Sequence, residues 1–162
     1  MIVVKTRAQI DKMRQAGILV AQTLDLMERL AKPGVRTIEL DAAAEEFILS
    51  QGAIPAFKGY MGYPATLCVS INDEVVHGIP SDRQLEDGQI VSVDVGVNCD
   101  GWYGDAARTL CIGNVSVDAK RLLDVTKEAL KRGIAQAKPG NRLGDISAAV
   151  QTYAEQQGYS VV

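Results

Sequence analysis

Residues 90–112 read IVSVDVGVNCDGWYGDAARTLCI. The first half of this stretch alternates valine with small or acidic residues, which is the two-residue period of a strand with one buried face. Asp100-Gly101 is a strong signal for a hairpin turn, and residues 106–112 resume as a second strand. The stretch therefore predicts an antiparallel hairpin around which the rest of the chain is organised. The alternating valines occupy positions 91, 93, 95 and 97.

The hairpin brings two aspartates together if its turn has two residues. Asp105 then lies opposite Gly96 and Asp94 lies opposite Ala107, so both carboxylates point to one face, roughly 7–8 Å apart at the backbone. A three-residue turn would reverse this parity. Like charges at that range repel, and a divalent cation would remove the repulsion. Two solvated acids on the polar face of a hairpin are the alternative, but the small Ser92 and Gly96 beside Asp94 favour a site.

Composition limits the classes of function. The 162 residues suffice for one domain with a sizeable core, and 47% hydrophobic with 23% charged residues is typical of a soluble globular protein. A net charge of −3 provides no basic field for nucleic acid, and neither a signal peptide nor a transmembrane run is evident. Three cysteines without C-x-x-C spacing predict reduced thiols and a cytoplasmic location. The single histidine excludes a multi-histidine zinc centre within this sequence.

Two helices are predicted before the hairpin. Residues 6–31 carry apolar side chains at alternating steps of three and four, which is the stripe of a packed helix, and a Lys-Pro-Gly sequence stops this helix. Thr37 is predicted to cap a second helix, which Gly52 ends. The stripe of the first helix consists of Ile10, Met13, Gly17, Val20, Leu24, Met27 and Ala31.

A loop, a strand and a lone histidine separate the second helix from the hairpin. Residues 53–64 form a glycine-rich loop whose Tyr60 and Tyr63 either pack over a core edge or wall a pocket for an apolar group. Residues 65–71 predict a strand. His77 follows in a His-Gly-Ile-Pro turn, where it is either a structural hydrogen-bonder or an acid–base group facing a substrate.

An internal repeat organises the whole chain. Ser116 is predicted to cap a third helix, a fourth helix spans about 144–157, and a strand begins near residue 160. Residues 31–52 and 137–158 align without gaps at an offset of 106, with nine of 22 positions identical, including the Lys-Pro-Gly stop and the final glycine. Each repeat is thus predicted to be helix, stop, helix and then sheet.

The two repeats are predicted to be unequal. Repeat one covers about 7–113 and the start of repeat two covers about 116–162, within a single incomplete domain. About sixty residues of loop and strand follow the first copy, whereas four residues follow the second. The sequence is therefore expected to be a fragment that stops before a second sheet, and with it the second half of any site between the repeats.

Three motifs together resemble type I methionine aminopeptidases. They are SINDEVVHGIP at residues 70–80, VDVG at 93–96 and GDAART at 104–109. The His-Gly-Ile-Pro string and two aspartates eleven residues apart resemble the first-half signature of that family. The resemblance implies an α+β pita-bread fold, in which long helices cover a curved antiparallel sheet in two pseudo-symmetric halves. This chain would hold the first half and the helices of the second.

The resemblance also implies roles for individual residues. Asp94 would be a metal ligand and Asp105 a ligand bridging two divalent metal ions, which are Co, Mn, Fe or Zn. His77 would be catalytic and would hydrogen-bond the substrate near the scissile peptide. The family's other ligands, one histidine and two glutamates, and its second catalytic histidine have no counterpart by motif here. The residues that would line the pocket for the methionine side chain are Tyr60, Tyr63, Cys68 and Phe57.

The implied function is hydrolytic removal of N-terminal methionine in the cytoplasm. The substrate would be a nascent polypeptide, with the ribosome a candidate partner and with neither nucleic acid nor membrane involved. The chain alone is expected to be impaired, because later ligands are absent. The alternative is a non-catalytic binding or dimerising module, since an exposed half-fold surface would favour a homodimer.

Overall fold

The predicted hairpin forms two strands of a four-stranded antiparallel sheet in the computed structural model, which describes residues 3–162. Strand β3 (Ile90–Cys99) pairs along its whole length with β4 (Trp102–Cys111). The other edge of β3 is shared by β2 (Leu67–Ile71) and the short β1 (Ile54–Pro55). Strand β3 is therefore the central strand, and its four alternating valines are fully buried.

The hairpin turn has two residues. Cys99 pairs with Trp102, which leaves Asp100 and Gly101 as the loop. Both loop residues have positive φ, 52° and 80°, which is the backbone of a type I′ turn. Asp and Gly tolerate this conformation better than most residues, and the first of the two predicted turn lengths is therefore correct.

Two helices cover the valine face of the sheet. They are α1 (Arg7–Leu30) and α2 (Thr37–Ser50), and the core lies between them and the strands. Helix α1 approaches β4 very closely, because a Cβ atom on Gly104 would lie 2.7 Å from the backbone of Ala16. Burial of this apolar surface at roughly 25 cal/mol per Å² is the main force holding the helices to the sheet. The largest fully buried side chains include Met27, Leu40, Ile48, Leu67 and Ile71.

The stripe predicted for α1 is buried only in its second half. Val20, Leu24 and Met27 are inside, whereas Ile10 and Met13 remain 40% and 41% exposed. The close approach of β4 begins at Ala16, so the first turns of α1 extend past the sheet. Helical periodicity identified the correct face but not how far along the helix that face is covered.

The predicted cap of α2 is wrong by one residue. Arg36 is the N-cap, and its backbone N–H donates to the Glu39 carboxylate at 2.8 Å. Thr37 is the first helical residue, and its buried hydroxyl instead accepts from the Ser81 N–H at 2.8 Å and donates to the Ser81 carbonyl at 3.0 Å. This tertiary contact occupies the hydroxyl that the cap would have needed.

A second compact unit, residues 116–162, contains a helix pair. Ser116 caps α3 (Val117–Gln136) as predicted, and α4 (Leu143–Gln156) follows. Within this unit the helices pack closely, because a Cβ atom on Gly133 would lie 2.7 Å from Val150. The Arg132 guanidinium also lies 3.7 Å from the centre of the Tyr153 ring. The strand predicted to begin at residue 160 is not formed, since no strand in the described part of the chain pairs with it.

The sequence repeat is also a repeat of local structure. Helices α2 and α4 each have 14 residues and begin 106 positions apart. Arg36 and Arg142 are the two N-caps, and each donates its backbone N–H to an acidic side chain three residues later. The stop glycine and the glycine after the helix have positive φ in both copies. They are Gly34 (90°), Gly140 (92°), Gly52 (71°) and Gly158 (85°).

Candidate metal centre and substrate pocket

The face of the sheet opposite α1 and α2 carries the two predicted metal ligands. Asp94 on β3 lies opposite Ala107 on β4, and Asp105 lies opposite Gly96. Both carboxylates therefore point to this face, on diagonal positions roughly 7–8 Å apart at the backbone. The geometry inferred from a two-residue turn is confirmed. We call this the open face of the sheet.

Polar and small side chains continue across the open face in rows. Cys68 on β2 lies directly opposite Asp94, so β2, β3 and β4 contribute Cys68, Asp94 and Ala107 at one level. In the next row, the hydroxyl oxygens of Ser92 and Thr109 are 2.8 Å apart and hydrogen-bonded. The open face is therefore built from residues that leave room above the carboxylates.

Asp94 is poorly satisfied by the protein itself. Its side chain is half-buried, and its Oδ1 atom is buried without a hydrogen-bond partner among the described residues. Burial raises the pKa of Asp94, the Asp105 carboxylate raises it further, and the His77 imidazole opposes the shift. The Val95 N–H also opposes the shift, but the net direction is upward, so the ionised form of Asp94 is only partly compensated.

A divalent cation fits these two aspartates. It would coordinate the unpaired oxygen of Asp94 and neutralise its repulsion with Asp105, which is exposed and therefore reachable from solvent. Two carboxylates supply only part of a coordination sphere. Within residues 3–162, no cluster of three or more His, Cys, Asp or Glu side chains is placed to hold a metal ion.

The His-Gly-Ile-Pro segment is fastened to β2 through its glycine. The Gly78 carbonyl accepts from the Val69 N–H at 2.8 Å, and the Gly78 N–H donates to the Ser70 hydroxyl at 3.1 Å. A Cβ atom on Gly78 would overlap the Val69 carbonyl oxygen. His77, which precedes this anchor, is exposed and has a left-handed backbone with φ of 60°. Such strain in a non-glycine residue is often associated with function.

Tyr63 links this segment to the start of β2. Its phenolic oxygen is within hydrogen-bonding distance of the Leu67 carbonyl, at 2.9 Å, and of the Gly78 carbonyl, at 3.1 Å. Burial raises the pKa of Tyr63, and the neighbouring Cys68 thiol raises it further, so the phenol remains a donor. Tyr63 therefore ties the start of β2 to Gly78 and lies beside Cys68.

The remaining predicted pocket residues differ in their placement. Cys68 is buried, and burial raises the pKa of its thiol, an effect that the hydrogen bond from Tyr63 opposes and the Asp94 charge reinforces. Phe57 packs its ring directly over Gly96 on the open face. Tyr60 is 66% exposed in a short 3₁₀ turn (Tyr60–Gly62). The structure thus places Cys68 and Phe57 beside the aspartates and leaves Tyr60 at the surface.

Asp41 is a supporting residue that sequence reasoning missed. It lies on the buried face of α2, where its Oδ1 accepts from the Thr66 N–H at 2.9 Å and the Leu67 N–H at 2.7 Å. Burial raises the pKa of Asp41, and these two hydrogen bonds oppose the shift. The available signal was an acid between Leu40 and Ala44 on an otherwise apolar helix face.

Comparison with known proteins supports the predicted likeness. The profile described as metallopeptidase family M24 matches residues 11–162. Methionine aminopeptidase 1 of Bacillus subtilis is 51% identical over the whole chain, and a methionine aminopeptidase of Clostridium acetobutylicum is 53% identical. The chain spans about 65% of the length of each of these relatives.

The fold is likewise shared with a solved structure. The crystal structure of methionine aminopeptidase from Rickettsia prowazekii superposes with a TM-score of 0.98 and is 48% identical, covering 100% of this chain and 65% of the other. The predicted pita-bread α+β fold is therefore confirmed. In addition, no helix within residues 3–162 is both long and apolar enough to cross a membrane.

Proposed function

Because the chain belongs to metallopeptidase family M24, we propose that it serves the metal-dependent removal of N-terminal methionine from nascent polypeptides in the cytoplasm. One observation carries this proposal: on an open sheet face, beside Asp105, Asp94 has a buried carboxylate oxygen with no hydrogen-bond partner among residues 3–162. A purely structural aspartate would be expected to have its hydrogen bonds satisfied. The identity with methionine aminopeptidases supports the choice of substrate.

Asp94 and Asp105 would hold the divalent metal ions. When bound, such ions supply Lewis-acid chemistry, which lowers the pKa of a water molecule and polarises a peptide carbonyl. The protein's own contribution is to keep the two carboxylates on one rigid hairpin. That hairpin is the longest strand pair of the sheet, and its inner face is part of the core, so the ligand positions are preorganised.

The residues beside the aspartates would bind the substrate. Cys68 and Phe57 offer apolar or weakly polar surface for a methionine side chain, and Tyr63 supports them by linking β2 to the His77 segment. His77 would donate a hydrogen bond to the substrate near the scissile peptide. Tyr60, at the surface, would form the outer rim of this pocket.

The proposed metal site requires more ligands than the motifs of these 162 residues supply. The resemblance assigns one histidine and two glutamates as further metal ligands, and the chain's single histidine is His77. We therefore expect the chain alone to be impaired. The ribosome, as the source of nascent chains, is the expected cellular partner.

The test is release of methionine from a Met-Ala-Ser peptide in the presence of Mn²⁺ or Co²⁺. The chain is assayed alone and after mixing with a polypeptide that corresponds to the remaining third of the Bacillus subtilis relative. We expect release in the mixture, and we expect Asp94→Asn to abolish it. The proposal is wrong if the mixture is folded and binds metal but releases no methionine, or if Asp94→Asn retains the activity.

A second function is favoured by the apolar surface of the second unit. Leu130, Ile134 and Leu143 are 57%, 63% and 79% exposed. Exposed apolar side chains on one helix pair support a homodimerising or binding module. Sedimentation equilibrium distinguishes the two functions, because a stable dimer without metal-dependent hydrolysis would favour the module.

A further inference from the structure

Every second residue of β3 points to the open face, and among these residues Gly96 is the one without a side chain. It follows Asp94 by two positions and lies directly opposite Asp105. Its φ is not in the left-handed region, so the backbone would accept any residue. The reason for glycine at this position must therefore be space rather than conformation.

The space is taken by Phe57. A Cβ atom on Gly96 would lie 2.5 Å from Cε1 and 3.0 Å from Cδ1 of the Phe57 ring, and 3.1 Å from the Ala56 Cβ. Real Cβ atoms essentially never approach another heavy atom to within 3.0 Å. The ring consequently rests on the strand backbone, in the place that the side chain of residue 96 would otherwise occupy.

The backbone on either side of the ring is held in place. The Ala56 N–H donates to the Gly96 carbonyl at 2.9 Å, which joins this segment to β3. One residue beyond Phe57, the Lys58 ammonium contacts the Glu45 carboxylate of α2 at 2.6 Å. The clash falls on the far end of the Phe57 side chain, while the backbone on both sides is tied down. A side chain at position 96 would therefore displace the ring.

We propose that Gly96 determines substrate selectivity by setting how far the Phe57 ring extends into the pocket beside the two aspartates. This inference rests on the proposed function, since it concerns the same pocket. With glycine, the ring lies flat on β3 and leaves room for a long, unbranched apolar side chain. With any larger residue, the displaced ring occupies part of that room, so shorter side chains are favoured.

The experiment compares four forms of the 162-residue chain: wild type, Gly96→Ala, Gly96→Ala with Phe57→Leu, and Gly17→Ala. Each is mixed in Mn²⁺ with the polypeptide that corresponds to the remaining third of the Bacillus subtilis relative. Gly17 is the matched control: its φ is not positive, and outside its own helix turn no atom of the described residues lies within 4 Å of an added Cβ. The probes are L-methionine and L-alanine, and the readout is the ratio of their affinities by calorimetry. Selective labelling of phenylalanine follows ring position by NMR, since the chain has only Phe47 and Phe57.

We expect Gly96→Ala to lower the methionine-to-alanine affinity ratio at least about tenfold and to shift the Phe57 ring resonance. In the double variant, leucine at position 57 is smaller and has no ring, so the affinity ratio should return to within about threefold of wild type. Gly17→Ala should leave the ratio unchanged. A Gly96→Ala ratio equal to that of Gly17→Ala overturns the inference, as does failure of Phe57→Leu to restore it. If the wild-type mixture binds Mn²⁺ but releases no methionine from Met-Ala-Ser, the proposed function fails. If it releases methionine while Gly96→Ala leaves the affinity ratio unchanged, only this inference fails.

Discussion

Asp94 and Asp105 occupy diagonal positions on one face of the β3–β4 hairpin, because Asp105 pairs with Gly96 rather than with Asp94 itself. On these diagonal positions the Asp105 carboxylate is near enough to raise the pKa of Asp94, and a bound cation would relieve that repulsion. The arrangement follows from the two-residue turn. It gives the protein a pair of acids that is held by the backbone of one hairpin.

The first prediction concerns metal binding. Asp94→Asn and Asp105→Asn should each weaken Mn²⁺ binding at least about tenfold, because each removes one charged ligand. Asp100→Asn is the matched control, since Asp100 is an exposed aspartate of the same hairpin and asparagine tolerates its positive φ. Electron paramagnetic resonance of free Mn²⁺ measures the affinity. Equal affinity in all three variants would mean that the ion binds elsewhere.

The second prediction concerns pH and the metal-free protein. Burial and Asp105 raise the pKa of Asp94 above its ordinary value of 3.8. For an acid with a raised folded-state pKa, the stabilising contribution is fully present below the unfolded pKa and is lost as pH rises through the folded pKa. The wild type should therefore lose stability relative to Asp94→Asn as pH rises from about 4, and added Mn²⁺ should reverse that loss.

Urea unfolding of both forms over a pH series measures this difference. Asp41 also has a raised pKa and affects both proteins in the same direction. Its contribution therefore cancels when the free energy of unfolding of one protein is subtracted from that of the other. A difference that does not change with pH, or that favours the wild type at neutral pH without metal, would contradict the electrostatic account of Asp94.

The third prediction concerns the Asp41 anchor. Asp41→Ala removes the acceptor of two buried backbone N–H groups, those of Thr66 and Leu67, and each unpaired group costs about 1–3 kcal/mol. Asp41→Asn keeps one carbonyl acceptor and should cost less. Asp73→Ala, at an exposed turn, is the control. Chemical unfolding measures the free energies, and equal costs for the two Asp41 variants would show that the hydrogen bonds are not what matters.

The fourth prediction concerns the anchor of His77. Gly78→Ala forces a methyl group onto the Val69 carbonyl and should destabilise the protein by about 1–3 kcal/mol. It should also shift the imidazole resonances of His77, which are assigned without ambiguity because the chain has one histidine. Gly144→Ala, where nothing lies within 4 Å, is the control. Unchanged imidazole resonances in a destabilised Gly78→Ala would mean that Gly78 supports β2 without positioning His77.

The hairpin was predictable because its signals are local. The alternation of valine with Ser92, Asp94 and Gly96 needs only the two-residue period of a strand, and Asp100-Gly101 needs only the backbone preferences of two residues. Once the turn length is known, the pairing of Asp105 with Gly96 follows by counting. The sequence could offer two turn lengths, and the structure selected one.

The cap of α2 and the burial of α1 were predicted less well because they depend on distant segments. Thr37 has the chemistry of an N-cap, but Ser81, 44 residues away, takes its hydroxyl. Ile10 and Met13 have the correct helical phase, but the sheet does not reach them. Local preference and periodicity report what a segment can do, and tertiary contact decides what it does.

The secondary-structure type of each long segment and the repeat at an offset of 106 follow from the sequence alone, because each rests on periodicity or on the chemistry of a few adjacent residues. The sequence also restricted the two aspartates to two arrangements, one for each turn length. The contacts between distant segments became visible only in the fold: Asp41 with the N–H groups of Thr66 and Leu67, the Gly78 backbone with Val69, and the Phe57 ring on Gly96. These contacts join residues far apart in the chain, and close packing rather than local preference selects them.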